Sequence, residues 1–197
     1  FALILSVAML IGTTFAWFTD TASTAVNKIQ AGNLDVELEY KNSDTTSFTK
    51  ADKNTKVFKE GALWEPGHVE YVVLKVSNAG SLALKYKLGI NIANEVGSTN
   101  VYNNAFKLSD YIRFAVLDGD RTGNSVDRDA LVAAATDSKL IKEGYTAEKH
   151  LMATGTDNSQ KVVTLVVWMP TTVGNEANHK TEVTAPSIDL GISVVAT

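Results

Sequence analysis

His68, His150 and His179 are the side chains of this sequence best suited to holding a transition metal or moving a proton near neutral pH. A zincin-type peptidase needs two histidines one helical turn apart with a glutamate between them. Both imidazoles then reach one ion and the carboxylate activates a water. Here the three histidines are widely separated, and none lies in a His-Glu-x-x-His run. His68 follows a Pro66-Gly67 pair and His179 sits in a polar stretch, which predicts surface positions for both. A metal site assembled from distant residues stays open at this level. The sequence itself assigns no catalytic residue, no metal ligand and no cofactor.

Other chemistries are poorly served. There is no cysteine, so thiol nucleophiles, thiolate metal sites and disulfides are absent. No Gly-x-Ser-x-Gly elbow and no phosphate-cradling glycine loop occurs. Asp118-Gly119-Asp120 and Asp127-Arg128-Asp129 offer oxygens suited to calcium, but not at the spacing of a twelve-residue EF-hand loop. Solvated turns are the expected reading of both, and an ordinary turn explains Gly174-Asn175-Glu176-Ala177-Asn178 as well. Trp64 and Trp168 are expected to be core or partly buried aromatics rather than exposed stacking platforms. A net charge of −4 argues against nucleic acid as a partner, since such proteins carry a basic patch.

The elements that would position these groups are mostly strands. Residues 34–40 alternate, with Leu34, Val36, Leu38 and Tyr40 on one face and acids on the other. Residues 42–54 read as a solvated loop or hairpin. Glu65-Pro66-Gly67 is a turn, with proline fixing φ and glycine accepting a positive φ. A strand follows over 69–76, then a turn at Asn78-Ala79-Gly80-Ser81. A further strand is expected over 82–92, with Leu82, Leu84, Tyr86 and Leu88 on one face. Residues 111–117 are strand-like and end at Asp118-Gly119-Asp120. Residues 127–135 predict a short helix capped by Asp127, with Leu131, Val132 and Ala135 as its apolar stripe. Residues 144–155 are ambiguous. Residues 161–169 form the strongest strand, stopped by Pro170, and 188–195 the last. Many short strands with turn signals between them predict an all-β fold, an antiparallel jelly-roll-like β-sandwich with one or two short helices. A hydrophobic content of 45% is enough to build such a core without disulfides.

An apolar N-terminal segment precedes that domain. Residues 1–11 form an uncharged, predominantly apolar run that leads into Gly12-Thr13-Thr14-Phe15-Ala16-Trp17-Phe18-Thr19-Asp20. The run is short for a permanent span, which needs about 20 apolar residues. It fits the apolar core of a signal peptide, and Thr14 and Ala16 stand at the −3 and −1 positions of a cut that would expose Trp17. The chain lacks an initial Met and a basic stretch before the run, so the expectation is that a few residues are missing from its start. The alternatives are a mature N-terminus at Phe1, with the helix kept in a pilin-like filament core, or a permanent membrane anchor. The expected organisation is therefore a partial signal peptide over 1–16, an exposed segment over 17–30 and a β-sandwich over 31–197.

These residues together resemble the TasA/camelysin family of exported Gram-positive proteins, whose signals are cut by a SipW-type signal peptidase. The resemblance rests on the 12–20 run, on Ile29-Gln30-Ala31-Gly32-Asn33-Leu34-Asp35, and on Glu65-Pro66-Gly67 followed by Val76-Ser77-Asn78-Ala79-Gly80-Ser81-Leu82-Ala83-Leu84. The 174–178 loop and the last strand extend it; residues 95–160 carry none of it. It implies a secreted jelly-roll subunit that self-associates into biofilm-matrix or cell-surface fibres and touches the membrane only through an uncleaved signal. In TasA-like fibres the freed N-terminal segment inserts as a strand into the next subunit. Here residues 17–30 would be the donor, with Trp17, Phe18, Ala22 and Val26 seeking pockets; pairing within the same subunit, or a loose tail, is the alternative. A monomeric surface module or adhesin is the competing function. Camelysin is described as a metallopeptidase, so the resemblance also raises an enzyme, against which the histidine spacing speaks.

Overall fold

The computed structural model describes residues 35–45, 47–52, 55–58, 64–123 and 125–196. Two antiparallel sheets pack face to face. The larger has six strands: β1 (Val36–Lys41), β2 (Thr49–Lys50), β3 (Val69–Asn78), β7 (Arg113–Asp118), β8 (Lys139–Leu140) and β10 (Gln160–Trp168), in the order β2-β1-β3-β10-β7-β8. The smaller has β4 (Leu84–Val96) in the middle, flanked by β9 (Tyr145–Leu151) and β11 (Ser187–Ala196). A small hairpin, β5 (Ser98–Thr99) with β6 (Ala105–Phe106), projects at one end. From β3 onward the long strands alternate between the two sheets, as a jelly-roll-like sandwich requires.

Period-two alternation places the core. Val72, Leu74 and Val76 of β3 and Val163, Leu165 and Val167 of β10 face Leu84, Tyr86, Leu88 and Ile90 of β4 and Ile188, Leu190, Ile192 and Val194 of β11. Burial raises the Tyr86 phenol to about 12. Removing such side chains from water stabilises the fold by roughly 1.5–3 kcal/mol each.

The central strands of the larger sheet are covered on both faces. Helix α1 (Arg128–Ala134) lays Leu131, with Ala135 just past its end, on Val69, Tyr71, Ala115, Val166 and Trp168. Asp127 caps it by accepting the Ala130 N–H at 3.0 Å. This is why 69–76 and 161–169 read as near-continuous apolar runs. The Pro66-Gly67 turn also forms as expected. His68 N–H donates to the Glu65 carbonyl at 2.8 Å, and Gly67 takes φ +90°.

Leu82 departs from its expected strand position. It is 58% exposed and lies in the turn before β4, not on the inner face. The cause is Asn78, which is buried. Its side-chain amide donates to the carbonyls of Leu82 at 2.7 Å and Met152 at 2.8 Å, and its carbonyl oxygen accepts Gly80 N–H at 2.8 Å. The turn therefore runs through residue 83, and the strand starts at Leu84. The ambiguous 144–155 stretch resolves into β9.

Candidate functional site

The strongest concentration of chemistry-bearing side chains lies where β3 begins. Alternation puts Glu70 on the same inner row as Val72 and Leu74, and its side chain is 5% exposed. His68 Nε2 lies 3.1 Å from Glu70 Oε1, and Arg128 Nη1 approaches the same oxygen at 3.9 Å from the start of α1. Arg128 is anchored by donating to the Val69 carbonyl. The Trp64 indole packs edge-on against the His68 ring, with centroids 5.0 Å apart. A buried carboxylate is costly by several kcal/mol unless paired, so the imidazole and guanidinium hold this one in place. His68 is thus half-buried in a pair rather than on the open surface expected of it. His-x-Glu at alternating spacing on an apolar strand was the available signal. The Arg128 partner, brought in from another element, had none.

The other histidines lie elsewhere. His150 is exposed on β9 opposite Lys85 of β4. His179 forms an isolated bridge with Asn100 and is half-buried, not exposed as expected; burial lowers its pKa below the usual 6.5. Among the described residues no three His, Asp or Glu side chains converge in a way that could hold a metal ion. The donor set at β3 is one imidazole and one carboxylate already engaged by Arg128, which does not fit a peptidase zinc site.

Three of the four aspartates in the two acidic clusters are put to structural use. Asp118 pairs with Lys161, and that contact lowers its pKa. Burial works to raise Asp120, but hydrogen bonds from Lys41 and Thr122 outweigh it and the net shift is downward. Asp127 caps α1. Trp64 and Trp168 are both buried, as expected.

The sheet edges form a second kind of site. The smaller sheet ends in β11 on one side and β9 on the other. Along β11 the inner row Ile188, Leu190, Ile192, Val194 and Ala196 is buried, and Asp189 is its one charged residue. β11 runs near β1, yet among the described residues it is hydrogen-bonded only to β4. On β9, Glu148, Lys149 and His150 are all exposed, the kind of charge that keeps a stray strand from pairing. Thr14, Ala16 and Trp17 of the expected cut site, and Trp17, Phe18, Ala22 and Val26 of the expected donor, lie outside the described residues.

Fold and edges together define an antiparallel β-sandwich with one long border that carries a single charged residue, Asp189. The family model described as camelysin metallo-endopeptidase matches residues 2–176, most of the chain. The protein belongs to the TasA/camelysin family. No curated protein matches it in a direct comparison.

Proposed function

We propose that this protein is a secreted structural subunit that assembles into extracellular-matrix or cell-surface fibres by strand donation between copies. The observation that supports this best is the β11 edge: ten residues, an apolar inner row and little charge. An extended segment laid along such an edge gains a ladder of main-chain hydrogen bonds that water cannot match in register. Residues 17–30 are the donor in this reading, with Trp17, Phe18, Ala22 and Val26 as its anchoring groups. Cleavage after Ala16 by a SipW-type signal peptidase is the switch that frees them from the membrane-held signal segment. The protein acts without catalysis.

Electron microscopy of the chain beginning at Trp17 is expected to show filaments of regular width. Deleting residues 17–30 should leave a folded monomer. Polymer from that deletion variant would overturn strand donation. Val195→Lys, a charge on the β11 border, should slow fibre growth while leaving the melting temperature nearly unchanged. N-terminal sequencing of protein from the medium should begin at Trp17; any other first residue removes the proposed cut.

The family's description as camelysin metallo-endopeptidase favours a second reading, an enzyme. Caseinolysis that co-purifies with the chain, is lost to a chelator and returns with zinc would establish it against the structural role.

A further inference from the structure

We infer that Asp189 sets the register of the strand laid on β11, by pairing with Lys28 of the neighbouring copy. This rests on the fibre reading above and deepens it: that reading names the donor segment and the border, not which residues meet.

Asp189 carries an unanswered acceptor. The residue is half-buried on the outer face of β11, which it shares with Gly191, Ser193 and Val195. Its Oδ2 accepts a long bond from the Asn94 side-chain amide at 3.4 Å. Its Oδ1 is closed off from solvent and has no hydrogen-bond partner among the described residues. A buried carboxylate oxygen without a donor is costly, and native folds answer such groups with an N–H, an O–H or a cation. Among the described residues β11 is hydrogen-bonded to β4 alone, so its other border is where that donor can arrive.

Charge selects Lys28 as that donor. It is the one cation among residues 17–30, and Asp189 is the one charged residue of β11. Placing the two opposite each other fixes every other pair, because opposed residues of a sheet share a face and the strands advance one residue at a time. In the antiparallel sense residues 21–29 lie along residues 188–196, nearly the whole of β11. The parallel sense would carry most of the segment past Ser187 and off the strand.

The antiparallel register is consistent along its length. On the outer face Val26 falls opposite Gly191, Thr24 opposite Ser193 and Ala22 opposite Val195. A Thr–Ser cross-strand pair is itself favourable. The inner row becomes Ile29, Asn27, Ala25, Ser23 and Thr21, none of them charged. Asp20, the one acid of the segment, falls beyond Ala196 and far from Asp189. Trp17 and Phe18 run on past that end, where Leu82 (58% exposed) offers apolar surface. A slip of two residues would keep every side chain on its face but leave both charges alone. One ion pair is thus enough to choose among registers that the apolar pattern does not separate.

The chain has no cysteine, which allows a direct reading. Opposed residues of an antiparallel pair have Cα atoms about 4.5–5.5 Å apart, within disulfide reach. Secreted chain carrying Lys28→Cys, mixed one to one with chain carrying Asp189→Cys and oxidised after assembly, should give a cross-linked dimer on a non-reducing gel. Asn27→Cys, on the opposite face, should give far less with the same partner. Lys28→Asp and Asp189→Lys should each raise the concentration for half-maximal assembly at least about tenfold. Their one-to-one mixture should restore it, because each donor then meets an acceptor of opposite charge. Cross-linking through Asn27→Cys instead, charge variants that assemble like the wild type, or a mixture no better than its parts would overturn the register. Asp189→Lys should melt close to the wild type, since the acid has only a long bond to lose. Should it fail to fold, the cysteine mixture and Lys28→Asp alone still decide. Wild-type chain that forms no polymer defeats the fibre reading itself; polymer whose copies do not cross-link between positions 28 and 189 defeats the register alone.

Discussion

The two sheets of this sandwich are built for different tasks. β3 and β10 of the larger sheet are covered on both faces, by the smaller sheet within and by α1 without. β4 of the smaller sheet is covered on one face only. Its other face carries Lys85, Lys87, Gly89 and Asn91, against Ser193 of β11. That face is flat where Gly89 lies under Ser193: a Cβ there would meet the Ser193 hydroxyl at 2.6 Å. Stability is concentrated in the first sheet, whose edge strands β2 and β8 are two residues each, while the longer borders β9 and β11 belong to the second.

The largest expected effect lies at the centre of the larger sheet. Leu165→Ala, at a fully buried position, should destabilise the fold by about 2–5 kcal/mol, read as a lowered denaturant midpoint. A loss under about 1 kcal/mol would break the contrast between the sheets. Asn78→Ala comes next. It removes the side chain that ties the 79–83 and 152–159 connections, both of which cross from one sheet to the other. It leaves the Leu82 and Met152 carbonyls and the Gly80 N–H without their partner, and a loss of about 1–3 kcal/mol in chemical denaturation is expected.

A pH effect sharpens the same comparison at the end of the sandwich away from Asn78. The folded pKa of His179 lies below 6.5 because its ring is buried. Between that value and 6.5 the unfolded chain binds more protons than the folded one. Stability from this group is therefore complete above about 6.5 and declines as pH falls towards the folded pKa. His179→Gln should flatten that part of the stability profile; an unchanged slope would assign the decline to other groups. Smallest is Lys87→Ala on the bare face, expected to shift stability by no more than about 0.5 kcal/mol. A larger shift would mean that this face is less idle than its exposure suggests.

Most of the larger sheet was legible because its physics is local. Near-continuous apolar runs at 69–76 and 161–169 mark strands buried on both sides, and Asp127 ahead of Leu131 and Ala135 marks a capped helix. The smaller sheet was harder to read. β9 is an edge strand with Lys149 on the inner row beside Ala147 and Leu151, so its alternation is blurred and 144–155 stayed ambiguous. Leu82 kept the strand period of its neighbours, but a side-chain bond from Asn78 to carbonyls of two separate loops decided its place. The Glu70 cluster needs Arg128, which only the packing of α1 against β3 brings near. Spacing along a sequence reports periodicity; it does not report which distant element supplies a counter-charge.

The β3–β10 ladder has a consequence in time. Its nine register pairs join residues 69–77 to residues 160–168, so the most deeply covered part of the sandwich links distant parts of the chain. A chain emerging N-terminus first, from a ribosome or through a translocation pore, offers β3 long before its main partner arrives. Until then β3 has β1 on one side, but its border towards β10 stays open. Folding is held back by a loop-closure cost that only the late-arriving strand can repay. The sandwich therefore closes only once residues 160–168 have been delivered, late in the making of the chain.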